Sequence, residues 1–374
     1  MVLALGLVLL ADQLLFGLSG PWRTISDFLP RGHPLERGIV SDRLALRELR
    51  DVGAEARSVV ILGNSRARAV FRRAQARRVD PRTVHIELSH AGMDLYESLA
   101  TAYRLEPFDV DVTVLVLSEI ELHSPVYLKP WAGVGSWRAL GDLLHHLEPS
   151  TLLERRRDLL GLAASASLAA YRDRRVIHAA AVDSWRRFPL DRLDRLDRPS
   201  PPAVADALKP LAPMPNLRLS DAERAELAAR LAPLLPHLPP AGLRAQIYQL
   251  AGVAPGPHTR LNEAVLLDLV EALRGIGSEV LLVEAPIHPV AEEVYDRALR
   301  EPFLDLAEGL ATREGVHFMP LEETGPFGPN DFADLTHLAR HRDQAAPRMA
   351  RRIAERARTL LDREVDSEAD ETPL

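Results

Sequence analysis

Short apolar runs bounded by polar residues recur in two parts of the chain. The run 112–118 is almost continuously apolar, which is typical of a strand buried on both faces of a parallel sheet. Four further runs have the length and composition of strands, and Gly63 directly follows the first of them. These runs are 59–62, 84–88, 279–283 and 316–319. The pattern therefore predicts five strands.

Helical patterns separate these strands. Residues 42–52, and the segment that begins at Arg66, combine good helix formers with apolar residues at roughly helical spacing. The segment 261–274 is clearly amphipathic, and Gly275 and Gly277 end it before the fourth strand. Strands that alternate with helices predict an α/β fold built on a doubly wound parallel sheet.

The alternation stops in the middle of the chain. Residues 127–258 are rich in Ala, Leu, Arg and Pro without a credible strand, which predicts a helical insertion between a first half, 40–126, and a second half, 259–362. Within the insertion, a Leu-Asp-Arg repeat at 190–198 and a Pro-rich stretch at 199–215 indicate a mobile connector. The insertion could be a lid, a docking surface or a simple decoration of the sheet.

The two ends of the chain differ from the rest. Residues 1–19 are apolar apart from Asp12 and Gln13, which favours a signal-anchor or transmembrane helix that holds the remaining domain outside the cytoplasmic membrane. The missing basic flank and the carboxylate leave a buried core helix open as the alternative. The acidic tail, 363–374, is expected to be disordered.

Composition narrows the chemistry. The formal net charge is −7 with both signs mixed, so no basic face for nucleic acid is expected. The chain contains no cysteine, which excludes disulfides, thiolate metal sites and a cysteine nucleophile. No HExxH, Walker or GxGxxG motif occurs, and we therefore expect neither a metal nor a nucleotide cofactor.

The first candidate for chemistry follows the first strand. In IleLeuGlyAsnSerArgAla, residues 61–67, Ser65 lies where a buried strand turns into a helix. A serine there has a free backbone N–H and lies at the positive end of the helix dipole, so it could attack a carbonyl and help to hold the oxyanion. An ordinary helix N-cap is the structural alternative.

The second candidate precedes the last helix. Asp334 and His337 are three residues apart, a spacing that on a helical turn would let the carboxylate orient the imidazole as a general base. Taken alone, a capping aspartate and a surface histidine explain the same residues. Ser65 and this pair, however, mark the two ends of a doubly wound sheet, whose carboxyl edge is where such folds bind ligands.

The strand-GlyAsnSer-helix opening and the AspLeuThrHis closing resemble the first and fifth sequence blocks of the SGNH/GDSL hydrolase superfamily. The family's usual GlyAspSer reads GlyAsnSer here, and the resemblance covers roughly 55–125 and 260–360. It implies a flavodoxin-like three-layer fold in which Ser65 is the nucleophile and Asp334 and His337 complete the triad.

The same resemblance implies the oxyanion donors. The backbone N–H groups of Ser65 and Gly92 are the expected donors, since Gly92 follows the second strand where the family's second block has its glycine. The third block normally supplies an asparagine, but SerGluIleGluLeu stands there at 118–122. Asn64 or a partner protein could supply the missing donor, and a carboxylate at Glu119 would repel an oxyanion.

A further histidine follows the fourth strand in GluAlaProIleHisPro, residues 284–289. His288 could line an acyl or sugar pocket, and it is the rival general base if Glu284 folds back to orient it. The remaining histidines are expected to be ordinary polar residues.

Together these residues predict acyl transfer through a covalent intermediate on Ser65. The N-terminal segment and the insertion resemble the membrane-attached SGNH proteins that act beside membrane-bound O-acyltransferases. That resemblance implies an esterase or O-acyltransferase on the periplasmic side that acts on an acyl ester or glycan of the cell envelope. A soluble carboxylic-ester or lipid esterase remains open, as does a non-catalytic binding or scaffold module of a polysaccharide export complex, which the missing asparagine favours.

Overall fold

A computed structural model of the protein describes residues 45–52, 56–90, 92–124, 135–168, 220–235, 238, 240–294, 296–339 and 345–370. The apolar segment 1–19, the Leu-Asp-Arg repeat and the Pro-rich stretch lie outside the described residues. Within the described ranges, none of the helices combines the length and the apolar character needed to cross a membrane.

The core of the protein is a sheet of five parallel strands, which confirms the predicted α/β class. The spatial order β2-β1-β3-β4-β5 is the flavodoxin-like order of a doubly wound sheet. Every strand lies where the apolar pattern predicts it, to within one residue at each end. The strands are β1 Ser58–Gly63, β2 Val84–Ser89, β3 Val112–Leu117, β4 Glu279–Glu284 and β5 Val316–Met319.

Helices connect and cover the strands. In the first half they are α1 Ser65–Val70, α2 Arg73–Val79, α3 Leu95–Leu105 and α4 Glu119–His123, and residues 45–50 are also helical. The middle of the chain contains α5 Trp137–His146, α6 Pro149–Glu154, α7 Arg156–Ser167, α8 Asp221–Leu231 and α9 Pro240–Ala251. The second half contains α10 Pro257–Gly275, α11 Arg300–Ala311, α12 Leu321–Thr324 and α13 Ala345–Asp370.

Both faces of the sheet are buried under helices. Side chains alternate along each strand, so Val60 and Leu62 of β1 pack into one core with α3 and α10. Val59 and Ile61 point the other way, into a second core with α1 and α13. The fold therefore has three layers, and the carboxyl ends of all the strands meet at one edge.

The described part of the predicted insertion is mostly helical, and it packs at two separate places. Leu140, Leu143 and Leu162 of α5 and α7 join the core beside α3 and α10. Helices α8 and α9 form a different cluster, in which Leu335 of the Asp-x-x-His segment is completely buried. The described helices of the insertion are thus an integral part of the packing.

Two helix predictions differ from the structure. The helix predicted from Arg66 is interrupted at Phe71, whose backbone is extended and whose ring is buried, so the chain forms α1 and α2 instead. The last helix continues to Asp370, through residues that the acidic composition predicted to be disordered. Its apolar side is buried as far as Leu361, and a helix held in this way gains one hydrogen bond for each residue that extends it.

Candidate active site

The nucleophile turn is compact because of Gly63. Its φ of +150° is unfavourable for other residues, and a Cβ there would lie 2.9 Å from the Cβ of Ala67 and 3.3 Å from the carbonyl oxygen of Val116. Ser65 follows as the first residue of α1, where its N–H has no acceptor within the helix. The hydroxyl is half-buried at the carboxyl edge of the sheet.

The Asp-x-x-His segment is an irregular loop, which corrects the prediction of a helical turn. Phe332 and Leu338 form an antiparallel bridge across it, and the N–H of Ala333 donates to the carbonyl of His337 over 2.8 Å. One carboxylate oxygen of Asp334 accepts hydrogen bonds from the backbone N–H groups of Thr336 (2.8 Å) and His337 (2.9 Å). The side chain thus fixes the turn that carries the imidazole.

The structure brings Ser65, Asp334 and His337 together. The Nδ1 of His337 lies 2.9 Å from both carboxylate oxygens of Asp334, and its Nε2 lies 2.7 Å from the Oγ of Ser65. Burial raises the pKa of Asp334, but the hydrogen bond and charge of His337 outweigh it and hold this pKa below its usual value. The arrangement can move a proton from the serine to the imidazole.

An ion pair supports the nucleophile turn from β3. Arg66 is buried and pairs with Glu121, while its Nη1 donates to the Oγ of Ser118 over 2.6 Å. The Asn64 side-chain amide also donates to Glu121. Arg66, to which the sequence assigned no role, therefore compensates the charge of Glu121, which is one of the two carboxylates that follow β3.

The sequence does contain a partial signal for this pair. Ser118 and Glu121 form a capping box at the start of α4, in which the Ser118 N–H donates to Glu121 over 2.8 Å. That motif predicts a carboxylate held at a helix start directly after a strand. It does not predict that the same carboxylate reaches across to Arg66.

Two of the expected oxyanion donors have clear structural roles. Asn64 caps α1, since its side-chain oxygen accepts the N–H of Arg66 over 2.8 Å, and one of its amide hydrogens is directed to Glu121. Gly92 lies in the turn after β2 with φ of +73°, so this position requires glycine for its backbone conformation alone.

His288 lies in the interior of the protein. Only 1% of the residue is exposed, its Nδ1 accepts the N–H of Val290 over 3.0 Å, and its ring packs against Phe332. Burial lowers its pKa, so the neutral ring is favoured. Glu284 pairs with Arg300 instead of orienting this histidine, and His337 is the imidazole that reaches Ser65.

A cleft of about 500 Å³ lies at the carboxyl ends of β3, β4 and β5. Its polar wall contains an ion pair in which Arg300 donates to both oxygens of buried Glu284 and also to Glu322. Because the guanidinium is shared by two carboxylates, it offers little to an anionic ligand. The remaining lining consists of Glu119, Ala285, Pro286, Ile287, Pro289, Leu321, Gly325, Pro326 and Phe327.

No group of three or more His, Asp or Glu residues in the described ranges could hold a metal ion. None of the known protein families matches the chain, and no curated protein matches it at a significant level.

Proposed function

We propose that the protein is a serine-dependent esterase or O-acyltransferase of the SGNH/GDSL type. The observation that carries the proposal is the hydrogen-bonded series from Asp334 through His337 to Ser65, with 2.7 Å between the last two side chains. Ser65 and His337 are 272 positions apart in the chain, and the folded sheet brings them together at its edge. The flavodoxin-like strand order, with the serine after β1 and the Asp-x-x-His loop after β5, supports the same family.

The proposed reaction has two halves. The Nε2 of His337 takes the hydroxyl proton of Ser65 while Oγ forms a bond to the carbonyl carbon of an ester. The tetrahedral intermediate collapses, its C–O bond to the alcohol breaks, and the alcohol leaves with the proton from His337. Water or an acceptor hydroxyl then gives its proton to His337 as its oxygen attacks the acyl carbon. The bond between that carbon and Oγ breaks, and His337 returns the proton to the Oγ of Ser65. Asp334 remains ionised and stabilises the imidazolium.

We assign the oxyanion to the backbone N–H of Ser65, with the second amide hydrogen of Asn64 and the N–H of Gly92 as further donors. Pairing with Arg66 supports this assignment, because a charge-compensated Glu121 repels an oxyanion much less than a free carboxylate would. Donors of this kind contribute about 10²-fold or more to the rate.

The cleft is lined by none of the triad residues, so it is the proposed binding region for the part of an acyl ester or a glycan acceptor that lies away from the reacting carbonyl. Its proline and phenylalanine side chains suit an acyl chain or the apolar face of a sugar ring, and its carboxylates can accept hydrogen bonds from hydroxyl groups. The family resemblance further suggests action on a cell-envelope polymer at the periplasmic side. In that proposal residues 1–19 are the membrane anchor and a membrane-bound O-acyltransferase is the partner. A soluble ester or lipid esterase would use the same triad.

A non-catalytic binding module is the second candidate, and one observation favours it. Two carboxylates, Glu119 and Glu121, follow β3 where the family's oxyanion asparagine is expected. In such a module the Ser65 and His337 side chains would only bind a ligand. Substituting them would weaken binding but would abolish no reaction.

Covalent labelling separates the two candidates. We expect a fluorophosphonate probe to label the full-length chain at Ser65, as read by mass spectrometry, and Ser65→Ala and His337→Ala to lose the label. Ser167→Ala and His317→Ala are matched controls, because Ser167 lies on α7 and His317 is a partly exposed histidine paired with Glu279. Folded wild-type protein that takes no label would overturn the enzyme proposal.

A further inference from the structure

Helix α9 of the insertion packs directly onto the loop that carries the triad's acid and base. Leu243, Ile247 and Leu250 of this helix form a cluster with Leu335, which lies between Asp334 and His337 in the chain. Leu335 has no exposed surface. The insertion therefore fills the space behind the loop, and nothing in this contact resembles a lid over Ser65.

A polar contact accompanies this packing. The side-chain oxygen of Gln246 accepts the N–H of Leu335 over 3.1 Å. Burial raises the pKa of Asp334, and a hydrogen bond from the Gln246 side chain is among the interactions that outweigh this effect and lower it. Because an ionised carboxylate can only accept hydrogen bonds, the amide nitrogen is the group of Gln246 that is able to donate to Asp334.

The opposite side of the same residue is held by the segment after β4. The N–H of His288 donates to the carbonyl oxygen of Leu335 over 3.1 Å. Both backbone polar groups of Leu335 are thus satisfied from outside its own loop, one by the insertion and one by the α/β core. Such a loop has little freedom to rotate, which favours a fixed separation between Asp334 and His337.

We propose that Gln246 is a positioning residue for the triad and that α8 and α9 support the Asp334–His337 loop from behind. Gln246 orients the carboxylate of Asp334, which in turn orients His337; the inference rests on the proposed function of these residues. These two helices, as far as the structure describes them, are therefore required for the chemistry and act neither as a lid nor as a surface decoration.

Two substitutions separate the contacts of Gln246. Gln246→Met loses both contacts, whereas Gln246→Glu keeps an acceptor for Leu335, loses the donor to Asp334 and adds a negative charge beside it. Gln249→Glu and Gln249→Met are the matched controls, since Gln249 is exposed on the same helix. The readouts are the second-order rate of fluorophosphonate labelling at Ser65 and the kcat and KM for p-nitrophenyl acetate.

We expect both Gln246 variants to label about tenfold more slowly, the size of one lost charge-assisted hydrogen bond, with a lower kcat and an unchanged KM. The Gln249 variants should match the wild type. Labelling rates within twofold of the controls would overturn the proposal, even if the Gln246 variants were less stable. A residue with only a structural role would change the stability of the protein without changing the labelling rate.

A second measurement does not depend on activity. The titratable groups that act on Asp334 are His337 in its own loop and His288 after β4, and both are present in every variant. If Gln246 stabilises the ionised carboxylate, the loss in urea midpoint caused by Gln246→Met should be larger at pH 7 than at pH 3, because the interaction is lost as the pH falls through the folded pKa of Asp334. Equal losses would refute the role of Gln246, whereas unequal losses in a protein that takes no label would refute only the proposed catalysis.

Discussion

The buried ion pair between Arg66 and Glu121 offers a quantitative test of how the nucleophile turn is held. Only 5% of the Arg66 side chain and 9% of the Glu121 side chain are exposed. We consider Arg66→Met, which removes the charge and keeps a similar length of apolar side chain, and Glu121→Gln, which keeps an acceptor for the Asn64 amide.

The magnitude follows from what each substitution leaves behind. Removing one partner of a buried pair strands the other charge away from water, at a cost of about 3–5 kcal/mol. In Arg66→Met, Glu121 keeps its hydrogen bonds from the Asn64 amide and the Ser118 N–H, so we expect about 3 kcal/mol. The double variant leaves no charge, and its cost should fall short of the sum of the single costs by about 2 kcal/mol.

Urea unfolding of the four proteins measures this coupling. Arg73 and Glu48 form a matched surface pair with 36% and 38% of their side chains exposed, and Arg73→Met should cost less than about 1 kcal/mol. If Arg66→Met cost no more than Arg73→Met, or if the Arg66 and Glu121 costs were additive, the pair would not hold the nucleophile turn as we infer.

Three further predictions concern the triad and its turn. Asp334→Asn should lower kcat about 10⁴-fold in ester hydrolysis, because the amide favours the wrong tautomer of His337, and a loss below tenfold would contradict this role. The pKa of Asp334 is lowered from 3.8 on folding, so the ionised carboxylate stabilises the fold above this pH, and that stabilisation is lost as the pH falls through the folded pKa. The urea midpoints of wild type and Asp334→Asn should therefore converge at low pH. A constant gap between them from pH 7 to 3 would refute the linkage. Gly63→Ala should destabilise the fold by about 1–3 kcal/mol, since its Cβ meets Ala67 and the Val116 carbonyl, and an unchanged urea midpoint would show that the turn relaxes without cost.

The apolar pattern predicted the sheet almost residue by residue. Strands buried on both faces, such as β3, are short continuous apolar runs, and this signal is local and strong. Gly63 after the first strand predicted a tight turn, and the φ of this glycine agrees. The helices were less accurately predicted, because the interruption at Phe71 depends on where its ring finds space in the core.

The candidate triad could also be found in the sequence, since its residues occupy the positions after the first and last strands. Chain order places both at the carboxyl edge once the sheet is parallel. The spacing of Asp334 and His337 correctly predicted their contact, although the loop is not helical. His288 has similar sequence surroundings, and only its burial in the structure separates it from His337.

The sequence by itself thus determined the class of fold, the positions of the strands and the sheet edge at which the candidate residues lie, because each depends on a local pattern or on strand order. Only the tertiary structure decided which carboxylate Arg66 neutralises, that Gln246 reaches the Asp334 loop, and which histidine faces the serine. These contacts join residues 55, 89 and 272 positions apart. No local periodicity specifies such pairs, since they arise from how the packed layers bring distant side chains together.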